Sequence, residues 1–232
     1  MKFSLIIPCY NEAENLPLLL ERCENLARTP GIELVLVDNG STDGTAAAFI
    51  DLLQDYPNCR SLRVEDRGYG FGILAGLAAA SGDILGWTHA DMQTDPQDAL
   101  RGLKLFLRHG ENTFVKGRRC GRPLVDATFT VGMSIFETLV LARPLWDINA
   151  QPTMFSRKFY ETWSSVAPHD FLLDLYAYYQ ARRCGLAVHR FPVRFGERVH
   201  GNSRWNLNWA AKRKFIRRTV DFSLELRKRV DI

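Results

Sequence analysis

Apolar and polar positions alternate in blocks along the first 90 residues of this chain. Residues 3–8, Phe-Ser-Leu-Ile-Ile-Pro, form a short apolar run of the kind a strand buried on both faces shows. Asn11 is a helix-capping residue type. Glu12 and Glu14 would then occupy the first turn, with Leu16, Leu19, Leu20 and Cys23 along one inward stripe. Gly31 ends that connection, and residues 32–37 make a second apolar strand stopping at Asp38. Ser41 to Thr45 supply a turn and a cap for a helix running to about Leu53. Residues 61–64 predict a third strand. A glycine-rich stretch and helix follow over 68–80, and a fourth strand over 84–87 ends at His89-Ala90-Asp91. Four strands alternating with helices through short loops read as a right-handed, doubly wound α/β sheet, mostly parallel with flanking helices.

The second half is less regular. A strand is expected at 113–115, leading into Lys116-Gly117-Arg118-Arg119, then helices at 129–142 and 168–183 and a strand at 188–195. A long amphipathic helix is expected at 209–230. Its apolar positions Phe215, Ile216, Val220, Leu226 and Val230 accompany the cluster Lys212, Arg213, Lys214, Arg217 and Arg218. That pattern fits two surfaces equally, an anionic membrane or the chain's own body. The run 129–142 reads as a core helix or as the lining of a lipid path. No internal repeat or low-complexity linker occurs.

Charge sharpens this division. The formal net charge of +4 is too small to imply a nucleic-acid partner. From Arg182 to Ile232 there are 14 Lys and Arg against 4 Asp and Glu, a net of +10, so the remainder is acidic at −6. Five scattered cysteines, without zinc spacing, point to reduced thiols and a cytoplasmic setting. Met1-Lys2 runs directly into a strand pattern without a signal-peptide core, and no apolar stretch approaches the ~20 residues of a membrane span.

In doubly wound sheets, ligands bind beyond the carboxyl ends of the strands. Polar residues gather at those ends: Tyr10, Asn11 and Glu12; Asp38 and Asn39; His89 and Asp91. Gly68-Tyr69-Gly70-Phe71-Gly72 lacks dinucleotide-binding spacing, and its glycines read as packing positions between helix and sheet. His89-Ala90-Asp91-Met92-Gln93 places hard ligands where Mg²⁺ or Mn²⁺ could bridge to a diphosphate.

Four segments in order carry a resemblance: Ile6-Ile7-Pro8-Cys9-Tyr10-Asn11-Glu12, Val37-Asp38-Asn39-Gly40-Ser41-Thr42-Asp43-Gly44-Thr45, Ala79-Ala80-Ser81-Gly82-Asp83, and His89-Ala90-Asp91-Met92-Gln93. Together they resemble the family 2 glycosyltransferases of GT-A fold, above all the dolichyl- and polyprenyl-phosphate sugar transferases. The resemblance covers residues 1–205, with 206–232 left as a basic amphipathic helix. It implies an inverting transfer from a UDP- or GDP-linked sugar to a polyprenyl phosphate, at the cytoplasmic face of a membrane with peripheral contact. Two alternatives stay open: a saccharide hydroxyl as acceptor, or an inactive nucleotide-sugar-binding relative.

The same resemblance assigns roles position by position. Pro8, Tyr10, Glu12, Val37, Asp38, Asn39, His89 and Ala90 would contact the nucleotide sugar. Asn39 stands where the family has a second aspartate, and His89 where the metal signature has its first. Asp91 and Gln93, with His89, would hold the divalent ion. Arg119, Arg198, Ser203 and Arg204 would meet the phosphates of the donor or acceptor, where fixed guanidinium groups stabilise accumulating charge. Any one of those arginines also suits an ordinary solvated surface. Asp91, Arg119 and Asp174 form the catalytic set. If the acceptor is a hydroxyl, one carboxylate should act as general base, either Asp174, which matches an acidic family position, or the unmatched Asp170 one helical turn away.

Overall fold

The computed structural model describes residues 1–198 and 209–228. Seven strands form one sheet: β1 (Phe3–Cys9), β2 (Ile32–Asn39), β3 (Cys59–Val64), β4 (Ile84–Trp87), β5 (Thr113–Cys120), β6 (Thr153–Ser156) and β7 (Ala187–Arg194), in the order β3-β2-β1-β4-β6-β5-β7. The helices are α1 (Leu16–Arg28), α2 (Thr45–Leu52), α3 (Tyr69–Ala79), α4 (Asp98–His109), α5 (Leu124–Leu141), α6 (Arg157–Glu161), α7 (Leu173–Arg183) and α8 (Trp209–Lys228). Strands β3, β2, β1 and β4 run parallel, whereas β6 lies antiparallel between β4 and β5.

The apolar runs of β1 and β2 are explained by burial on both faces. Ile6, Val35 and Val37 join one core cluster with Ile73, Leu77 and Trp87. Leu5, Ile7, Leu34 and Leu36 join a second cluster against Leu16, Leu19, Leu20 and Cys23 of α1. Gly76 is required by close approach, since a Cβ there would lie 2.5 Å from the Ile6 side chain. Gly70 serves a different contact. Its Cβ would meet the backbone of 168–170 at 2.6–2.7 Å, so this glycine admits a chain segment and not the sheet.

Several boundaries differ from the sequence pattern. Asn11 does not cap α1, which starts at Leu16; Asn11 takes a left-handed φ of 55° and ties down the neighbouring loop. Residues 168–170 stay outside the helix, where the His169 carbonyl accepts from the Phe71 amide at 3.0 Å, and α7 begins at Leu173. Helix α5 begins at Leu124, five residues ahead of the expected start. Helix α4 and strand β6 carried no expectation. The ends of α4 were nevertheless marked by Asp98 in the first turn, Arg108 and His109 in the last, and Gly110 at φ 83° beyond it.

Helix α8 packs on α5. The buried Ser223 hydroxyl donates to Glu137, and Arg227 donates to the Val140 carbonyl at 2.7 Å. Leu226 is buried and Phe215 packs on Phe171 at 4.3 Å between ring centres. Of the two surfaces its periodicity fitted, the apolar stripe of α8 covers the protein's own body. Val230 lies outside the described residues. Among the described residues, no helix is long and apolar enough to cross a membrane.

Candidate functional site

The ends of β1, β2 and β4 open into a cavity of about 720 Å³, within the size range of small-ligand sites. Its walls include Pro8, Tyr10 and Glu12 after β1, Asn39 at the end of β2, Arg67 to Tyr69 before and at the start of α3, His89 to Asp91 after β4, and Arg198. Residues far apart in sequence meet here because parallel strands deliver all their carboxyl ends to one edge.

The loops after β1 and β2 are stitched together. The Asn11 amide donates to the Ser41 hydroxyl at 3.0 Å, Thr42 N–H donates to Asn11 Oδ1 at 2.8 Å, and Glu12 N–H donates to Thr45 Oγ1 at 3.0 Å. Burial would raise the Asp43 pKa, but bonds from Thr45 and the Ala13 amide outweigh it and hold the carboxyl below its ordinary value. Glu12 is pushed the other way, by burial first and by the nearby Asp91 charge, against the opposing bond from Asn15. The guanidinium of Arg67 lies 4.3 Å over the Tyr10 ring, and the Tyr69 and His89 rings stack at 5.5 Å and 27°. The cavity thus has two flat aromatic patches between acidic groups.

Asn39 sits in the wall, its Nδ2 donating to the Gly68 carbonyl at 2.8 Å. Gly72 makes room for it, since a Cβ would come within 3.0 Å of Asn39 Cγ. Val37 and Asp38 do not line the cavity. Strand alternation buries Val37 in the core, and Asp38 accepts from the Ser41 amide at 2.9 Å with Arg63 at 3.5 Å, which shapes the loop behind the wall.

Asp91 is the central carboxylate. One oxygen accepts from the Gln93 amide at 3.2 Å and the other lies 2.9 Å from the Arg198 guanidinium. Gln93 is turned away from the cavity: its side chain donates to the Gly196 carbonyl at 3.2 Å, and Gly196 N–H returns a bond to the Gln93 carbonyl at 2.8 Å. The Gln93 side-chain amide therefore fastens the two segments. Among the described residues no group of three His, Cys, Asp or Glu side chains gathers as a metal cage. Ser203 and Arg204 lie outside the described residues.

Two expected catalytic groups stand elsewhere. Asp174 is buried beneath the cavity floor, where it accepts from Tyr69 Oη at 2.8 Å, Gln151 Nε2 at 2.7 Å and Trp87 Nε1 at 3.2 Å. Lys116, fully buried, approaches it at 3.7 Å and donates to Thr153 at 2.8 Å. Burial drives the Lys116 pKa down to about 8, against the opposing pull of Asp174. Burial and the Asp174 charge push Tyr69 well above the ordinary tyrosine value, keeping its hydroxyl a donor. Asp174 is 3% exposed and its carboxylate is engaged by these donors; it holds Tyr69, whose ring stacks on His89. Arg119 grips Asp147 through its backbone amide at 2.8 Å and its Nε at 2.7 Å. It lines a second, smaller cavity of about 60 Å³ beside Phe129, Met133 and Glu137, not the first. Asp170 pairs with Arg218 at 3.1 Å.

Tyr69, Arg67 and Asp43 are cavity residues that motif reading passed over. Tyr69 stood in view between two glycines, but its reach to Asp174, 105 positions away, has no local signature.

Comparison with known proteins gives this geometry a context. A family model described as glycosyl transferase family 2 matches residues 4–160. An undecaprenyl-phosphate 4-deoxy-4-formamido-L-arabinose transferase from Salmonella choleraesuis (strain SC-B67) is 28% identical over 216 residues, which is 88% of this chain and 63% of that protein. Its namesake from Photorhabdus laumondii is 39% identical over 109 residues, 44% of this chain and 33% of the relative. The chain therefore spans less than two thirds of the length of these curated relatives. Among solved structures, glucosyl-3-phosphoglycerate synthase from Mycobacterium tuberculosis in complex with UDP aligns with a TM-score of 0.72 at 20% identity, over 97% of this chain and 79% of that one. A mannosyltransferase from Pyrobaculum calidifontis, in complex with GDP-mannose and Mn²⁺, aligns with a TM-score of 0.65 at 21% identity, over 87% and 58%. At these identities the structural likeness establishes a shared GT-A fold.

Proposed function

Because the chain belongs to glycosyl transferase family 2, we propose that it moves a sugar from a UDP- or GDP-linked donor onto a polyprenyl phosphate, with inversion at the anomeric carbon. The observation that carries this reading is the cavity at the strand ends, with Asp91 at its centre and arginines on its rim. The nucleoside would lie along Pro8, Tyr10, Glu12 and Asn39, where Arg67 and Tyr10 form one flat platform. The sugar and diphosphate would meet the Tyr69–His89 pair, Ala90 and Asp91.

A divalent ion suits this wall. One carboxylate beside one imidazole leaves most coordination positions for phosphate oxygens and water, as Mg²⁺ prefers, while the imidazole suits Mn²⁺. Asp91, assisted by His89, would hold it, and the ion would neutralise charge on the departing diphosphate. Arg198 pairs with Asp91 at 2.9 Å and is placed to exchange that carboxylate for a phosphate oxygen.

The place of Asp174 bears on the choice of acceptor. A hydroxyl acceptor must lose a proton as it attacks, whereas a phosphate arrives ionised. Asp174, the carboxylate proposed for that task, is sealed beneath Tyr69, and this favours the phosphate acceptor. The curated relatives whose names specify undecaprenyl phosphate support the same reading. All five cysteines are unpaired, which supports a reducing, cytoplasmic location for the reaction.

The test is a transfer assay with a panel of UDP- and GDP-sugars and two acceptors, undecaprenyl phosphate and a free oligosaccharide, with and without Mn²⁺. Product on the lipid phosphate alone is expected. Product only on the oligosaccharide would overturn the acceptor assignment, and donor binding without any product would make the chain a nucleotide-sugar-binding protein.

A further inference from the structure

The carboxylate at the centre of the large cavity is met by a cation of the chain's own. Arg198 Nη2 lies 2.9 Å from Asp91 Oδ2, while Asp91 Oδ1 accepts from the Gln93 backbone amide at 3.2 Å. With both oxygens engaged, only 9% of the Asp91 side chain is exposed. A hard divalent ion sits about 2.1 Å from a carboxylate oxygen, and a guanidinium on that same oxygen crowds like charge against it. Arg198 and an ion therefore ask for the same place.

The backbone aims Arg198 there, but the guanidinium is only partly satisfied. Gly196 N–H donates to the Gln93 carbonyl at 2.8 Å, and the Gly196 carbonyl accepts from Gln93 Nε2 at 3.2 Å. This reciprocal pairing delivers Arg198, two residues on, to Asp91. Yet Arg198 Nε is buried without an acceptor among the described residues, which weakens the pose. The side chain is also 28% exposed, so it has space to turn toward another anion.

Charge determines which anion. Asp91, Glu12 and Arg198 line one cavity, and Glu12, raised in pKa chiefly by burial, also feels the Asp91 charge raising it and the Arg198 charge lowering it. Arg198 and a divalent ion together bring three positive charges against these two carboxylates. A sugar-linked nucleoside diphosphate adds about two negative charges, and both cations are then matched.

We propose that Arg198 and the divalent ion compete for Asp91, and that the nucleotide diphosphate resolves the competition by drawing the guanidinium to itself, so that ion and donor enter together. The proposal rests on the assignment of the ion to Asp91 and adds an order to its binding. Its test is calorimetric titration of Mn²⁺ into wild type, Arg198→Gln, Arg198→Lys and Asp91→Ala. Each is titrated alone and with saturating UDP or GDP, whichever the protein binds, with protein-free controls for Mn²⁺ held by the nucleotide. Without nucleotide, Arg198→Gln should bind Mn²⁺ at least tenfold more tightly than wild type. Arg198→Lys, which keeps the charge, should stay within about threefold of wild type. With nucleotide, the advantage of Arg198→Gln should shrink below about threefold. Asp91→Ala should lose the protein's share of Mn²⁺ binding in both conditions. Equal or weaker Mn²⁺ binding by Arg198→Gln without nucleotide, or a tenfold advantage that persists with it, overturns the competition and leaves the ion on Asp91. Mn²⁺ binding indifferent to Asp91→Ala overturns the ion assignment itself, and the proposal with it.

Discussion

Asp91 and Asp174 are two buried carboxylates that stand in different settings. Asp91 opens onto a large cavity and shares its outer oxygen with Arg198, a partner that is itself partly exposed and exchangeable. Asp174 is closed in by Tyr69, Gln151 and Trp87, with Lys116 supplying the opposing charge. Burial alone therefore does not mark a reactive acid. What distinguishes the two is whether a lone pair faces a space that a ligand can enter.

Removing each acid should separate these roles. Asp174→Ala leaves the buried Lys116 without its counter-charge, which typically costs about 3–5 kcal/mol. Its unfolding midpoint in urea should fall sharply, and any loss of transfer should track the folded fraction. Asp91→Ala should behave in the opposite way, with a near-normal midpoint and transfer lowered at least ~100-fold, about 2.7 kcal/mol in barrier height. If Asp174→Ala folds normally and loses activity alone, the contrast between the two sites is lost.

A third carboxylate sharpens the point. Glu137 faces the smaller cavity, and burial lifts its pKa to about 7, against the bond from Ser223. The folded state therefore prefers the protonated acid. Its contribution is complete below about pH 4.5 and is lost as the pH rises through about 7. Glu137→Gln should stabilise the protein by about 1–2 kcal/mol at pH 8 and by little at pH 4.5. A thermal midpoint that responds equally at both pH values would contradict this. An effect of similar size belongs to Tyr69, which bonds Asp174 and stacks on His89. Tyr69→Phe removes one hydrogen bond to Asp174, worth about 1–2 kcal/mol, and should weaken donor binding without moving the pH profile of transfer.

The parts of this arrangement legible in the sequence were those carried by strand ends. A short apolar run ending in polar residues placed β4 at its observed bounds, and the gathering of Tyr10, Glu12, Asn39, His89 and Asp91 at one cavity followed from parallel topology. Val37 and Asp38 shared that segment, yet alternation along β2 turned one into the core, and a loop bond held the other behind the wall. Asp174 and Arg119 had the chemistry expected of catalytic groups. Their placement away from the larger cavity depends on long-range partners, Tyr69 and Asp147, which periodicity does not encode. Strand β6 was hidden because four residues are too few to show a period, although its antiparallel insertion between β4 and β5 joins the two halves of the sheet.

The most direct test of the central claim is calorimetric titration of UDP- and GDP-sugars into wild type and Asp91→Ala, with and without Mn²⁺. One donor should bind wild type at a single site, more tightly with Mn²⁺, and the Mn²⁺ gain should vanish in Asp91→Ala. Donor binding that is equal in both proteins and indifferent to Mn²⁺ would contradict the assignment of Asp91 and of the cavity it centres.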